Sequence, residues 1–254
     1  MPKTADVAEL DRLSAAASDK PKAIFAVGRG RCGKTVAYRW MIDRALKQGR
    51  GLIVADGDRT NQTLGAFFPD VESPPSASDD AMRPWLDGLV ERAIDQRKSL
   101  LLDLGGGDLL LKQTALELDL AGELAQNGVT PVVLHFIGAD SDDLAYLRVT
   151  ERNGLFAPEH TAVIFNVGVV PAGVSPEVAL QKHTKDPALM GALSRGGSHL
   201  IVMPRLVCMT VVDDARLRFS EAVHPKIGLM NGSRVRLWLR DMETAFAPIV
   251  DWLP

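Results

Sequence analysis

Apolar residues follow two rhythms along this chain. Short unbroken runs read as buried strands: Ala23 to Val27, Gly51 to Asp56, Ser99 to Leu104, Pro131 to Ile137, Thr161 to Val167 and His199 to Met203. Between them lie stretches with helical spacing. These run from Thr35 to about Lys47, from Asp80 to Arg97 (with Trp85, Leu89, Ala93 and Ile94 inward), and from Leu110 to Gln126. A further helix opens at Asp140-Ser141-Asp142-Asp143, acids that suit a helix N-terminus, and others are expected around 176–193, 211–223 and 241–250. Pro69 to Asp80, with Pro74-Pro75, is a surface loop. Strands that are apolar on both sides, alternating with helices, are the pattern of a parallel sheet covered on both faces. The expected fold is α/β, a single doubly wound domain over residues 21–254 with a mostly parallel central sheet flanked by helices. A polar, Ala-rich N-terminal arm over residues 1–20 precedes it.

Composition narrows the picture modestly. A chain of 254 residues with 46% hydrophobic content can bury a full core. Its net charge of −3 gives no global pull toward nucleic acid or anionic membrane, while a local basic face stays open. Two cysteines make no disulfide framework and suit a reducing compartment. The N-terminus lacks the basic-then-apolar order of a secretory signal, and no apolar run reaches the roughly 18 residues of a membrane span. The expectation is a cytoplasmic protein with no membrane partner. The five histidines show no metal-ligand spacing with the cysteines, and His135, inside an apolar strand, reads as a hydrogen-bonded core residue.

The chemistry concentrates in eight residues, Gly28-Arg29-Gly30-Arg31-Cys32-Gly33-Lys34-Thr35, which satisfy the phosphate-loop pattern of Gly, four residues, then Gly-Lys-Ser/Thr. The loop has the strand before it and the helix after it that the pattern requires. Glycines let the backbone bend until several N–H groups face one anion, and the helix N-terminus adds its positive dipole end. Lys34 is expected to reach the β- and γ-phosphates, and the Thr35 hydroxyl to bind Mg²⁺, with Val36 completing the nucleotide contacts. Asp103, closing its strand, is placed to orient the metal. Asp56 and Asp58 end the strand after the first helix, where acidic side chains enter the ligand crevice of a parallel sheet. Asp58 suits an attacking water and Asp56 the metal; a solvated Asp-Gly turn is the competing reading. Cys32 reads as a small filler within the loop.

These residues in this order, with the Thr60-Asn61-Gln62-Thr63-Leu64 stretch after Asp58, resemble the ParA/MinD group of ATPases, which carry a deviant phosphate loop. The Asp56 to Asn61 segment and the Leu104-Gly105-Gly106-Gly107-Asp108 loop look more like the plasmid-encoded StbB/TraL-type branch. The resemblance covers about residues 22 to 170. It implies a P-loop NTPase fold, ATP and Mg²⁺ as cofactors, and an ATP-dependent homodimer serving plasmid or DNA partition or conjugative transfer, with an adaptor protein stimulating slow hydrolysis. It makes Asn166, which closes the Ile164-Phe165-Asn166 strand, a candidate adenine reader; a turn residue is the plainer reading. The chain departs from the family in one place. A signature lysine after the first glycine crosses the dimer interface in that family, and here the position is Arg29. Arginine keeps the charge and adds a planar fork of donors. It can act across a dimer or pair with acids of its own chain.

The last third carries Arg195, Arg205, Arg216, Arg218, Lys226, Arg234, Arg236 and Arg240. Residues 234–240 alternate basic and apolar positions like a strand or a basic face, open to non-specific DNA or simply solvated. The tail from Ala245 to Pro254 lacks the basic face of a membrane-surface helix and reads as core or dimer packing. Three functions compete. One is a nucleotide-switched ATPase in which Lys34, Arg29 and Mg²⁺ neutralise phosphate charge while Asp58 positions water. The others are a small-molecule kinase of P-loop type and a nucleotide-binding module without significant hydrolysis. A kinase lid would gather arginines in one stretch, and here they are scattered.

Overall fold

The computed structural model describes residues 20–59, 61–105, 110–153 and 156–254. The expected N-terminal arm, apart from Lys20, lies outside these residues, as do Thr60 and the Gly106-Gly107-Asp108 part of the glycine-rich turn. Six strands form one sheet: β1 (Lys22–Val27), β2 (Leu52–Asp56), β3 (Ser99–Asp103), β4 (Thr130–Ile137), β5 (His160–Asn166) and β6 (His199–Met203). Their order is β2-β3-β1-β4-β5-β6, and every neighbouring pair is parallel. All six expected strands are present.

Side chains along the inner strands β1, β3, β4 and β5 alternate between two apolar layers, while the edge strand β6 leaves Val202 exposed. In β1, Ile24 and Ala26 join the layer under α1 (Lys34–Lys47), while Ala23, Phe25 and Val27 join the layer under α2 (Asp79–Asp95). The helices α3 (Leu110–Glu117) and α4 (Leu120–Gln126) complete that second layer through Leu111, Leu120 and Leu124. Toward β5, α5 (Ala145–Asn153), α6 (Pro176–His183) and α7 (Pro187–Ser194) cover the sheet. On the α1 side, α8 (Met209–Asp214), α9 (Phe219–Ala222) and α10 (Leu229–Phe246) pack with a terminal 3-10 turn, Ala247–Trp252.

Several helices are shorter than their periodicity suggests. The stretch expected over 110–126 divides where Asp119 caps α4, its carboxylate accepting from Gly122 N–H at 3.1 Å. The 176–193 stretch divides because Pro187 has no N–H to continue the preceding helix and instead starts α7 behind its Asp186 cap. The 211–223 stretch becomes α8 and α9. Residues 234–240 correct the strand-like reading. They lie within α10, whose buried Val235, Trp238, Met242 and Phe246 follow helical spacing beneath the arginines. Phe246, Ile249 and Leu253 of the tail are buried in the core. Among the described residues, no helix is long and apolar enough to cross a membrane.

Candidate functional site

The chain order moves outward from β1 to β2, returns through β3, and then crosses β1 to reach β4. This reversal brackets β1, and ligands of open parallel sheets settle at such a point beyond the carboxyl ends of the strands. The Gly28–Thr35 loop leaves β1 there and turns into α1.

Two glycines are required by the surroundings. Gly28 has φ +134°, and a Cβ on it would collide with the Phe136 carbonyl of β4. Gly33 has φ +97°, and a Cβ there would collide with Asn166 Nδ2. Arg31, between them, also takes a left-handed backbone at φ +65°. Among the described residues, no group of the chain occupies the backbone N–H groups of residues 29–33 as a hydrogen-bond partner. Lys34 is buried, and its Nζ donates to the carbonyls of Gly28 and Arg29, both at 3.1 Å. Burial lowers its pKa, against the opposing pull of the Asp103 carboxylate.

Thr35 Oγ1 donates to Asp103 Oδ2 at 2.7 Å, joining α1 to the end of β3. Asp103 is buried beside Asp56, its registered neighbour on β2. Burial pushes its carboxyl up to about 7; the Thr35 hydroxyl and Lys34 hold it down, while Asp56 and Asp58 raise it. Asp56 has turned to a structural task. Its two oxygens accept from the N–H groups of Asp58 at 3.2 Å and Leu64 at 3.0 Å, which ties down the segment after β2.

A cavity of about 650 Å³ opens above the loop. Of the predicted site residues it is lined by Gly30, Arg31, Gly33, Lys34, Thr35 and Val36, together with Asp58, Asp103 and Asn166. Gly28, Arg29, Cys32 and Asp56 are not on it. Arg29 turns instead to a smaller neighbouring cavity, where it meets Asp140 at 3.7 Å and Asp143 at 3.8 Å. Cys32 is buried with its thiol donating to Asp143 Oδ1 at 3.5 Å, and burial followed by that carboxylate pushes its pKa up to about 12. It is a packed filler with no thiolate character. Asn166 is also buried: Nδ2 donates to the Cys32 carbonyl at 2.9 Å, and Oδ1 accepts from Gly168 N–H at 2.8 Å. Both ends of the amide are therefore engaged beneath the loop.

Among the described residues, no group of three or more His, Cys, Asp or Glu side chains could hold a metal ion. The donors nearest to that role are the Thr35 hydroxyl and the Asp103 carboxylate, with Asp58 on the same cavity. A nucleotide-bound Mg²⁺ needs only one or two such protein groups, the rest being phosphate oxygens and waters.

The cavity also contains residues that the sequence did not place at the nucleotide site. Arg39, on α1, lies over Phe67 at 3.5 Å and Phe219 at 4.5 Å, and pairs with Asp213 at 2.6 Å. Phe67, Met203, Met209 and Arg216 line the same space. Only Met203 had a signal, its place at the carboxyl end of a parallel strand. His135 is buried as expected, but among the described residues neither ring nitrogen has a hydrogen-bond partner, so it is core without the expected bond. Of the C-terminal basic residues, Arg195 pairs with Glu151, Arg218 with Glu221 and Arg240 with Asp241, while Arg205 donates to the carbonyls of Val167 and Val170. The chain matches no protein-family model, and no curated protein sequence matches it.

Proposed function

We propose that this chain is a Mg²⁺-dependent ATPase of the P-loop type, acting as a nucleotide-controlled switch in the manner of the ParA/MinD group that its motifs resemble. One observation carries the reading: the Gly28–Thr35 loop presents Lys34 and Thr35 to the same cavity as Asp58 and Asp103, at the carboxyl ends of β1, β2 and β3. Polyphosphate would lie on the loop amides at the N-terminus of α1. Lys34 would exchange its two loop carbonyls for phosphate oxygens, a stronger charge-assisted contact. Thr35 and Asp103 would hold Mg²⁺, which supplies charge neutralisation on the phosphates. Asp58 would orient a water whose oxygen bonds to the γ-phosphorus. The bridging P–O bond breaks with its electron pair leaving on ADP, and the water's proton ends on phosphate.

Dimerisation around ATP, DNA contact through the exposed Arg234 and Arg236, and stimulation by an adaptor belong to the same proposal. The kinase reading gains one observation. Arg31, Arg205 and Arg216, scattered in sequence, line a single cavity.

Calorimetric titration of Mg-ATP tests the binding claim, and phosphate release with and without DNA tests turnover. Asp58→Ala is expected to keep ATP affinity within a few-fold and to lower phosphate release about a hundredfold, in the range of lost general catalytic groups. Release equal in wild type, variant and buffer leaves a binding module. Phosphate appearing on an added hydroxyl acceptor instead of in solution makes it a kinase.

A further inference from the structure

We infer that Asn166 is a positioning residue for the phosphate loop, setting the direction of a phosphate-binding amide rather than reading a base. The inference rests on the nucleotide reading of the site. Asn166 closes β5 and reaches across to the loop, two strands away from β1 in space and 134 residues away from Cys32 in sequence. Its orientation is determined by its partners. Gly168 N–H can only donate, so the amide oxygen faces it, and Nδ2 is left to face the Cys32 carbonyl.

That carbonyl belongs to the peptide linking Cys32 and Gly33. In a trans peptide, C=O and N–H point in opposite directions, so holding one aims the other. With the Cys32 carbonyl bound to Asn166, the Gly33 N–H is turned away from β5. Gly33 itself lines the large cavity and holds a left-handed backbone at φ +97°. The contact is close enough that no side chain fits at position 33. Asn166 is 4% exposed, so this bond is shielded from competing water. Asp143, in the 3-10 turn Ser141–Leu144 after β4, holds the side chain of the same residue, accepting from the Cys32 thiol at 3.5 Å.

A base reader and a loop-positioning residue make different demands on the ligand. Loss of a base reader weakens ATP and leaves base-free polyphosphate untouched. Loss of the positioning bond weakens every polyphosphate by the same factor. Affinities of wild type and Asn166→Ala for inorganic tripolyphosphate, Mg-ATP and Mg-GTP separate the two, with a thermal melt to show that the variant is folded. The expected result is a loss of about tenfold for all three ligands, the size of one buried hydrogen bond. A loss confined to ATP, or no loss for any ligand, overturns the inference. Wild type that binds none of the three overturns the nucleotide reading together with it.

A measurement on the unaltered protein guards against a variant that does not fold. The ¹⁵N side-chain amide signals of Asn166 should shift alike with tripolyphosphate and with Mg-ATP. A shift with ATP and none with tripolyphosphate overturns the inference.

Discussion

At the residue scale, single side chains in this protein are defined by what burial leaves them to bond with. Lys34, Asp103 and Cys32 are all buried beside one another, yet they respond differently: the amine is lowered, the carboxyl is raised to about 7, and the thiol is raised to about 12. His135 is the extreme case, with no partner for either nitrogen among the described residues and a pKa lowered to about 3, first by burial and then by Arg195. The unfolded chain binds a proton near pH 6.5 that the folded chain refuses until about pH 3, so stability rises with pH across that window. Each pH unit of descent below 6.5 costs up to about 1.4 kcal/mol. His135→Leu keeps the apolar volume and removes the titration. Its urea midpoint is therefore expected to fall less than that of wild type between pH 7 and pH 5, by about 2 kcal/mol in unfolding free energy. Equal falls for both proteins would contradict this account.

At the element scale, α10 shows how packing selects one pattern from a sequence that carries two. Residues 234–240 alternate basic and apolar, but only Val235 and Trp238 are buried there, while Leu237 is 52% exposed. Trp238 packs against Phe219 with ring centroids 4.6 Å apart, and its Nε1 donates to the Pro204 carbonyl at 2.9 Å. Trp238→Ala is expected to lower stability by about 3–5 kcal/mol, since it leaves a cavity and an unpaired carbonyl. Leu237→Ala should stay within about 0.5 kcal/mol. Chemical denaturation of both variants checks the pair; comparable losses would mean that the strand-like pattern describes this segment better. The same logic explains the divided helices. Pro187 and Asp119 are visible stop and start signals inside stretches that otherwise keep helical spacing.

At the scale of the whole molecule, the parallel sheet order brings loop, carboxylates and arginines from distant parts of the chain to one edge. In the proposed dimer, Arg29 is the residue on which assembly would turn. It is 55% exposed and lies 3.7 Å from the exposed Asp140, a pairing that contributes little, and 3.8 Å from the buried Asp143, whose carboxylate also accepts from the Gly138 and Asp140 N–H groups. Release toward a second subunit would therefore cost little. With a non-hydrolysable ATP analogue, wild type is expected to sediment as a dimer and Arg29→Ala as a monomer at the same concentration. Wild type that stays monomeric with the analogue bound removes the dimer and leaves the ATP site in place.

The strands, the α/β class and the phosphate-loop pattern were legible in the amino-acid sequence, because each rests on local chemistry: unbroken Ile, Val and Leu runs, and glycines at fixed spacing before Lys34 and Thr35. Asp103 was legible for the same reason, as an acid closing an apolar strand. Tertiary structure alone decided which of the candidate groups meet. It bound both Asp56 oxygens to backbone N–H groups, turned Arg29 toward Asp140 and Asp143, and placed the Asn166 amide under Cys32. It also brought Arg39, Phe67 and Arg216 to the cavity without a local signal. The physical reason is that a polar group's task depends on the partners burial leaves within reach, which for Asp56 are local backbone groups but for Arg29 and Asn166 come from segments far apart in sequence.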